Sequence, residues 1–132
     1  MTYKIIDACV VIAFLKQEPN YKICQEVLID SINNPGQYLM SSVTFSEICK
    51  YFYLYLPEKA KDILDSIQTD FAITFVKVDE NQARLAAYYK SLGGIAFLDG
   101  FILALAKKKN AKILTLDKEF LKYQGEFEVE FL

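Results

Sequence analysis

The chain has no histidine, so any acid, base or metal chemistry falls to carboxylates. Its cysteines, Cys9, Cys24 and Cys49, are odd in number and widely spaced, and no histidine accompanies them. They suggest neither a disulfide framework nor a zinc site, and read as buried reduced thiols. The longest wholly apolar run, Ala8 to Leu15, is far short of the ~20 residues that span a bilayer. Lys4 followed by apolar residues imitates a signal peptide, but Asp7 breaks the apolar region and no small-residue cleavage site follows. The expectation is a cytoplasmic protein with no membrane association. There is no internal repeat, low-complexity tract or linker, which points to a single domain over residues 1–132.

Apolar residues make up 53% of the chain and charged residues 24%, a globular composition able to fill a core. Strand-like runs occur at Tyr3 to Ile6, Tyr38 to Met40, Ile73 to Val78, Lys112 to Leu116 and Phe127 to Phe131. Helical stretches separate them, the alternation of a parallel α/β sheet. Ala8 to Leu15 reads as a buried helix, because a second strand directly after Asp7 would leave no room for a crossover. Asn20 is placed to cap a helix reaching Asn33, and Pro35 with Gly36 turns the chain into the second strand. Thr44 is expected to open a helix that Pro57 interrupts, with Pro57 in the first turn of a further helix over Glu58 to Gln68. Asp79 and Gln82 make a capping-box pattern for a helix ending near Gly93. Asp99 is expected to open a helix over Gly100 to Lys108, and Asp117 a final short one.

Four acids stand out: Asp7 after the first strand, Glu47 in the first turn after the second, Asp99 at a helix start, and Asp117 after the fourth strand. Each has a plain structural explanation, since acids at helix N-termini accept orphan N–H bonds and meet the positive end of the dipole, and Thr44 with Glu47 matches a capping box. Asp79 is a fifth acid of the same kind. What favours function is topology. If the sheet order is 3-2-1-4-5, the first and fourth strands are neighbours, which brings Asp7 beside Asp117, with Glu47 one strand away and Asp79 on the outer strand. Ligand crevices in open parallel sheets lie beyond the strands' carboxyl ends. Carboxylates about 6 Å apart repel by roughly 2 to 3 kcal/mol per pair at an effective dielectric of ~20, and a divalent cation removes that cost. An all-oxygen donor set suits Mg²⁺ or Mn²⁺, ions that activate water and stabilise charge on a phosphodiester. The formal charge of −2 does not oppose a nucleic acid partner, because setting the four acids aside leaves the remainder mildly basic.

In this order and spacing the chain resembles the PIN domain family, and within it the VapC-type toxin ribonucleases of bacterial and archaeal toxin–antitoxin pairs. Asp7 in IIDACVVIAFL matches the first family acid, Glu47 in SSVTFSEI the second, Asp99 in FLDGFILALA the third and Asp117 in ILTLDKEF the fourth. Cys9 stands where the family often has a small polar residue, and Gly100 where it often has alanine. The resemblance implies a five-stranded parallel sheet flanked by helices and a Mg²⁺- or Mn²⁺-dependent endoribonuclease. Asp7 and Asp99 would be the principal ligands, with Glu47 and Asp117 completing the site directly or through water. It further implies in-line attack of water to leave a 5′-phosphate and a 3′-hydroxyl, a cognate antitoxin covering the acidic cleft, and a homodimer.

Thr115 reads either as an ordinary strand threonine or as a group orienting Asp117. Lys16, Lys50, Lys90 and Lys118 read as solvated side chains or contacts to an RNA backbone. Lys107 to Lys109 meet a helix C-terminus and fall outside the site. Tyr51 to Leu56 reads first as helix packing and second as a partner groove. A haloacid dehalogenase-like phosphatase would need an aspartate where Cys9 stands, and a receiver domain an adjacent acidic pair that is absent. The competing reading is a catalytically weak PIN-like module that binds protein or RNA.

Overall fold

The computed structural model describes residues 2–132. In chain order the elements are β1 (Lys4–Ile6), α1 (Ala8–Leu15), α2 (Tyr21–Asn33), β2 (Tyr38–Ser41), α3 (Ser42–Tyr55) and α4 (Ala60–Asp70). They continue with β3 (Ile73–Val76), α5 (Glu80–Ser91), α6 (Phe97–Lys109), β4 (Lys112–Thr115), a 3₁₀ segment (Lys118–Tyr123) and β5 (Val129–Phe131). The strands form one sheet in the order β3-β2-β1-β4-β5, every pair parallel, as the sequence suggests.

The sheet is covered on both faces, and the central strands show why. Side chains alternate along a strand, so Ile6, Met40 and Leu114 point into a core built with α1, α2, α3 and α4. Ile5, Leu39 and Ile113 point into a second core with α5, α6, Phe120 and Phe127. Ile5 and Ile6 are both fully buried, which explains why β1 ends on consecutive apolar residues rather than an alternation. Each such isoleucine contributes about 1.5–3 kcal/mol relative to an exposed position.

Helix α6 is inaccessible on all sides over Ile102 to Ala106 because it lies between the sheet and α5. Gly100 permits that approach: a Cβ there would lie 2.6 Å from the backbone oxygen of Ala86 on α5. Helices α5 and α6 are antiparallel neighbours, so the start of α5 lies at the end of α6, where Lys108 pairs with Asp79 at 2.8 Å.

Several boundaries differ from the sequence expectation. Helix α3 begins at Ser42 rather than Thr44, because the Ser41 hydroxyl accepts from the Val43 N–H and supplies the cap. Thr44 is instead buried inside the first turn. Helix α4 begins at Ala60, with Pro57 in the preceding turn, closed by the Lys59 N–H donating to the Leu56 carbonyl. Helix α6 begins at Phe97 with Ala96 as its N-cap residue, which puts Asp99 inside the first turn. Asn20 occupies the N-cap position of α2, but its side chain makes no capping bond. Strand β5 starts at Val129, since Phe127 turns inward to pack on Tyr89 and Tyr123. Asp79 caps α5 as expected, accepting from the Gln82 N–H at 2.8 Å.

Candidate active site

The carboxyl edge of the sheet brings Asp7, Glu47, Asp99 and Asp117 into one cleft of about 750 Å³. Asp7 follows β1 directly, and its N–H donates to the Leu114 carbonyl on β4, which fixes it beside the end of that strand. It holds the N-cap position of α1 without capping it. Its Oδ2 accepts instead from Thr115 Oγ1 at 2.7 Å and from Cys9 Sγ at 3.3 Å. The capping explanation of Asp7 therefore fails, and Cys9 fills the family's small polar position as a hydrogen-bond donor.

Thr115 acts in both directions. Its hydroxyl donates to Asp7 and accepts from the Asp117 N–H at 2.9 Å, coupling two of the acids through one side chain. Cys9 Sγ similarly accepts from the Leu116 N–H at 3.4 Å. Asp117 does serve as a cap, with Oδ1 accepting from the Glu119 N–H at 2.9 Å.

Glu47 lies in the second turn of α3, not in a capping box, and its Oε1 is buried with no hydrogen-bond partner. Burial and the nearby charge of Asp7 push its pKa up to about 6. Asp99 is buried and makes no capping bond; burial, then the charges of Asp7, Glu47, Asp117 and Glu119, push it up to about 7. Asp7 is raised too, chiefly by burial, against the hydrogen bonds from Thr115 and Cys9. Three neighbouring carboxyls are thus shifted in the same direction, chiefly by burial, with one orphaned oxygen among them. Hard oxygen donors gathered in this way fit Mg²⁺ or Mn²⁺.

The structure adds Glu119, which the sequence reading missed. Carboxylate oxygens of Asp99, Asp117 and Glu119 lie within 4.8 Å of one another. The available signal was its place two residues after Asp117, on the 3₁₀ turn that Asp117 caps.

Asp79 is separated from this group. It is half-buried, paired with Lys108, and held below the usual carboxylate range by that lysine and by the Gln82 N–H. Of the lysines, Lys50 lines the cleft, and Lys16 sits 5.1 Å over the Tyr51 ring while pairing with Glu18 at 3.4 Å. Lys90 is taken by the Ile95 carbonyl at 2.9 Å and ties the α5–α6 connection, whereas Lys118 is exposed. Lys107, Lys108 and Lys109 engage Glu126, Asp79 and the Tyr3 ring, away from the cleft. Tyr51 packs partly on the core, but Tyr53, Leu54, Tyr55 and Leu56 are exposed, so helix packing does not account for that stretch.

An open parallel sheet with acids converging at its carboxyl edge defines an α/β domain with a candidate metal-dependent site. The chain belongs to the PIN domain family, which it matches over residues 4–126. No curated protein sequence matches it. Among solved structures it is similar to DNA-bound VapBC from Salmonella typhimurium, with TM-score 0.75, 14% identity, and coverage of 99% of this chain and 98% of that one. It is also similar to the sarcin–ricin-loop-cleaving toxin VapC20 of Mycobacterium tuberculosis, with TM-score 0.74, 12% identity, and coverage of 94% and 95%. A third relative is FitAcB of Neisseria gonorrhoeae, with TM-score 0.67, 24% identity, and coverage of 98% and 96%. Among the described residues, no helix is long and apolar enough to cross a membrane.

Proposed function

We propose that this PIN domain is a metal-dependent endoribonuclease and the toxin of a toxin–antitoxin pair. The observation that carries this reading is the convergence of Asp7, Glu47, Asp99 and Asp117, three of them with raised pKa values, in one cleft. Like charges gathered and partly buried destabilise a fold unless something else uses them. The structural relatives add support, since they include a toxin–antitoxin complex and a sarcin–ricin-loop-cleaving toxin.

Asp7, Asp99, Glu47 and Asp117 would hold Mg²⁺ or Mn²⁺, with Glu119 close enough to Asp99 and Asp117 to join them. When bound, such an ion activates water and stabilises charge on a phosphodiester. The chain's own contribution is orientation. Thr115 and Cys9 hold Asp7 Oδ2, and Thr115 also holds the backbone at Asp117, so the two carboxylates keep a fixed relation to one another. Hydrolysis with water as nucleophile and the 3′-oxygen as leaving group yields a 5′-phosphate and a 3′-hydroxyl. A small antitoxin that brings a cation into the acidic cleft would compete with both metal and substrate, and pairing of two copies completes the proposed assembly.

Incubation of mixed cellular RNA with purified protein and Mg²⁺ or Mn²⁺ tests the reading, with EDTA, Asp99→Asn and Asp79→Asn as comparisons. Cleavage that requires the metal, survives in Asp79→Asn and is lost in Asp99→Asn is expected. A folded, metal-loaded protein that leaves all RNA intact would turn the assignment toward a PIN-like binding module.

A further inference from the structure

One face of α3 continues the acidic cleft outward. Glu47, Lys50, Tyr51, Leu54 and Tyr55 all line it, at spacings of three, four, seven and eight residues from Glu47, which places them in one stripe. At 1.5 Å per residue, that stripe extends about 12 Å from the carboxylate. The adjoining face of α3, through Thr44, Ile48 and Phe52, is buried in the core with Tyr51 partly packed against it, so the outer end of the stripe, Leu54 and Tyr55, is not needed to anchor the helix.

Its outer members are unusually bare for apolar side chains: Leu54 is 65% and Tyr55 66% exposed. The Tyr51 and Tyr55 rings lie 4.8 Å apart, and the Lys16 ammonium sits 5.1 Å over the Tyr51 ring. Tyr55 is thus backed by a second ring, which is itself backed by a cation, with Lys50 on the same stripe.

We propose that Tyr55, backed by Tyr51, is a stacking platform for an unpaired base of the RNA strand, with Lys50, more than a turn nearer the acids, contacting the backbone. This rests on the nuclease reading and deepens it by naming the side chains that receive the strand beside the acids. The chemistry of the stripe alternates as a single strand does. Flat apolar faces receive bases, ammonium groups meet phosphates, and the carboxylates at its inner end lie where a metal-bridged phosphate belongs. A duplex hides its base faces within the stack and cannot use such a platform. Lys16 pairs with Glu18, which lines the same cleft, whereas Lys50 on the stripe makes no salt bridge within 4.0 Å among the described residues.

The test uses the full chain carrying Asp99→Asn and follows fluorescence anisotropy of a short labelled RNA of mixed sequence, both as a single strand and annealed to its complement. Base stacking predicts that Tyr55→Ala and Tyr55→Leu each weaken single-strand binding by about 5- to 100-fold. Tyr55→Phe, which keeps the ring, is expected to bind like the parent, and the duplex is expected to bind more weakly and to ignore all three changes. Circular dichroism checks that each exposed-site variant is folded.

The proposal is overturned if the single strand does not bind, if Tyr55→Leu binds like the parent, or if the duplex binds as tightly. It is equally overturned if Tyr55→Ala leaves RNA binding intact while abolishing association with a protein partner, which would make the stripe a protein-docking surface. Failure of the nuclease reading looks different: wild-type protein would bind single-stranded RNA through Tyr55 and still not cleave it with metal present.

Discussion

The Thr115 hydroxyl joins Asp7 to Asp117, donating to Asp7 Oδ2 at 2.7 Å and accepting from the Asp117 N–H at 2.9 Å. This single side chain sets the relation between acids on two strands that are far apart in sequence and adjacent in the sheet. Thr115→Val keeps the shape but removes both bonds, leaving a buried carboxylate oxygen and an N–H short of partners. The expected cost is about 1–3 kcal/mol in urea denaturation. Mn²⁺ affinity measured by calorimetry is expected to fall about 10- to 100-fold, the usual effect of losing a group that orients a ligand. Cys9→Ser retains a donor to Asp7 and is expected to affect both measurements far less.

The shifted carboxyls give the ion-free protein an inverted pH profile. Asp99 and Glu47 hold their protons to about 7 and about 6 in the folded chain, against 3.8 and 4.5 ordinarily. An acid with a raised folded pKa binds protons more readily when folded, so its stabilising effect is complete at low pH and disappears as pH rises through the folded value. In EDTA, stability is expected to decline from about pH 4.5 to about pH 7, by on the order of 1–3 kcal/mol. Saturating Mg²⁺ or Mn²⁺ should restore stability at the upper end and have little effect at the lower. Urea midpoints at both ends, with and without metal, measure this directly; a midpoint in EDTA that rises with pH contradicts it.

Gly100 tests the packing that positions Asp99. Glycine to alanine inside a helix ordinarily stabilises by about 0.5–1 kcal/mol. Here the added methyl would meet the Ala86 backbone oxygen at 2.6 Å, which a flexible side chain cannot relieve. Gly100→Ala is therefore expected to destabilise by about 1–3 kcal/mol, in the range of overpacked cores. Because the residue adjoins Asp99, metal affinity should fall as well. Thermal denaturation and a metal titration read the two effects, and a stabilised variant would show that α5 and α6 can separate freely.

Much of the fold was legible because periodicity and sheet burial agree. The buried Ile5–Ile6 pair and the β/α alternation follow from patterns that a two-sided parallel sheet satisfies, whereas strand order is not written in periodicity. Helix starts were less legible, because caps depend on which of several nearby polar groups meets a free N–H. Ser41 wins over Thr44 for α3, and α6 starts at Phe97 without a side-chain cap. The convergence of Asp7, Glu47 and Asp117 was readable from strand order, which also sets Asp79 apart after the outer strand β3. The place of Asp99 was not, because it lies in the first turn of α6 rather than after a strand, and neither was the pairing of Asp79 with Lys108, which depends on α5 running antiparallel to α6.

Glu119 was hidden for a similar reason. In sequence it is one more charge after Asp117, and only the 3₁₀ turn folds it back toward Asp99. Glu119→Gln removes one negative charge from that group. It is expected to weaken Mn²⁺ binding by about tenfold, less than loss of the buried Asp99, because its exposed carboxylate is partly screened by water. Equal affinity in wild type and Glu119→Gln would place Glu119 outside the site.

The central claim is that the acids gathered at one sheet edge form a single divalent-cation site, and calorimetric titration of ion-free protein with Mn²⁺ near neutral pH tests it most directly. Saturable binding by wild type and by Asp79→Asn, with binding lost in Asp99→Asn although that variant remains folded, is the predicted result. Mn²⁺ binding that survives unchanged in Asp99→Asn, or a wild-type protein that takes up no ion, would contradict it.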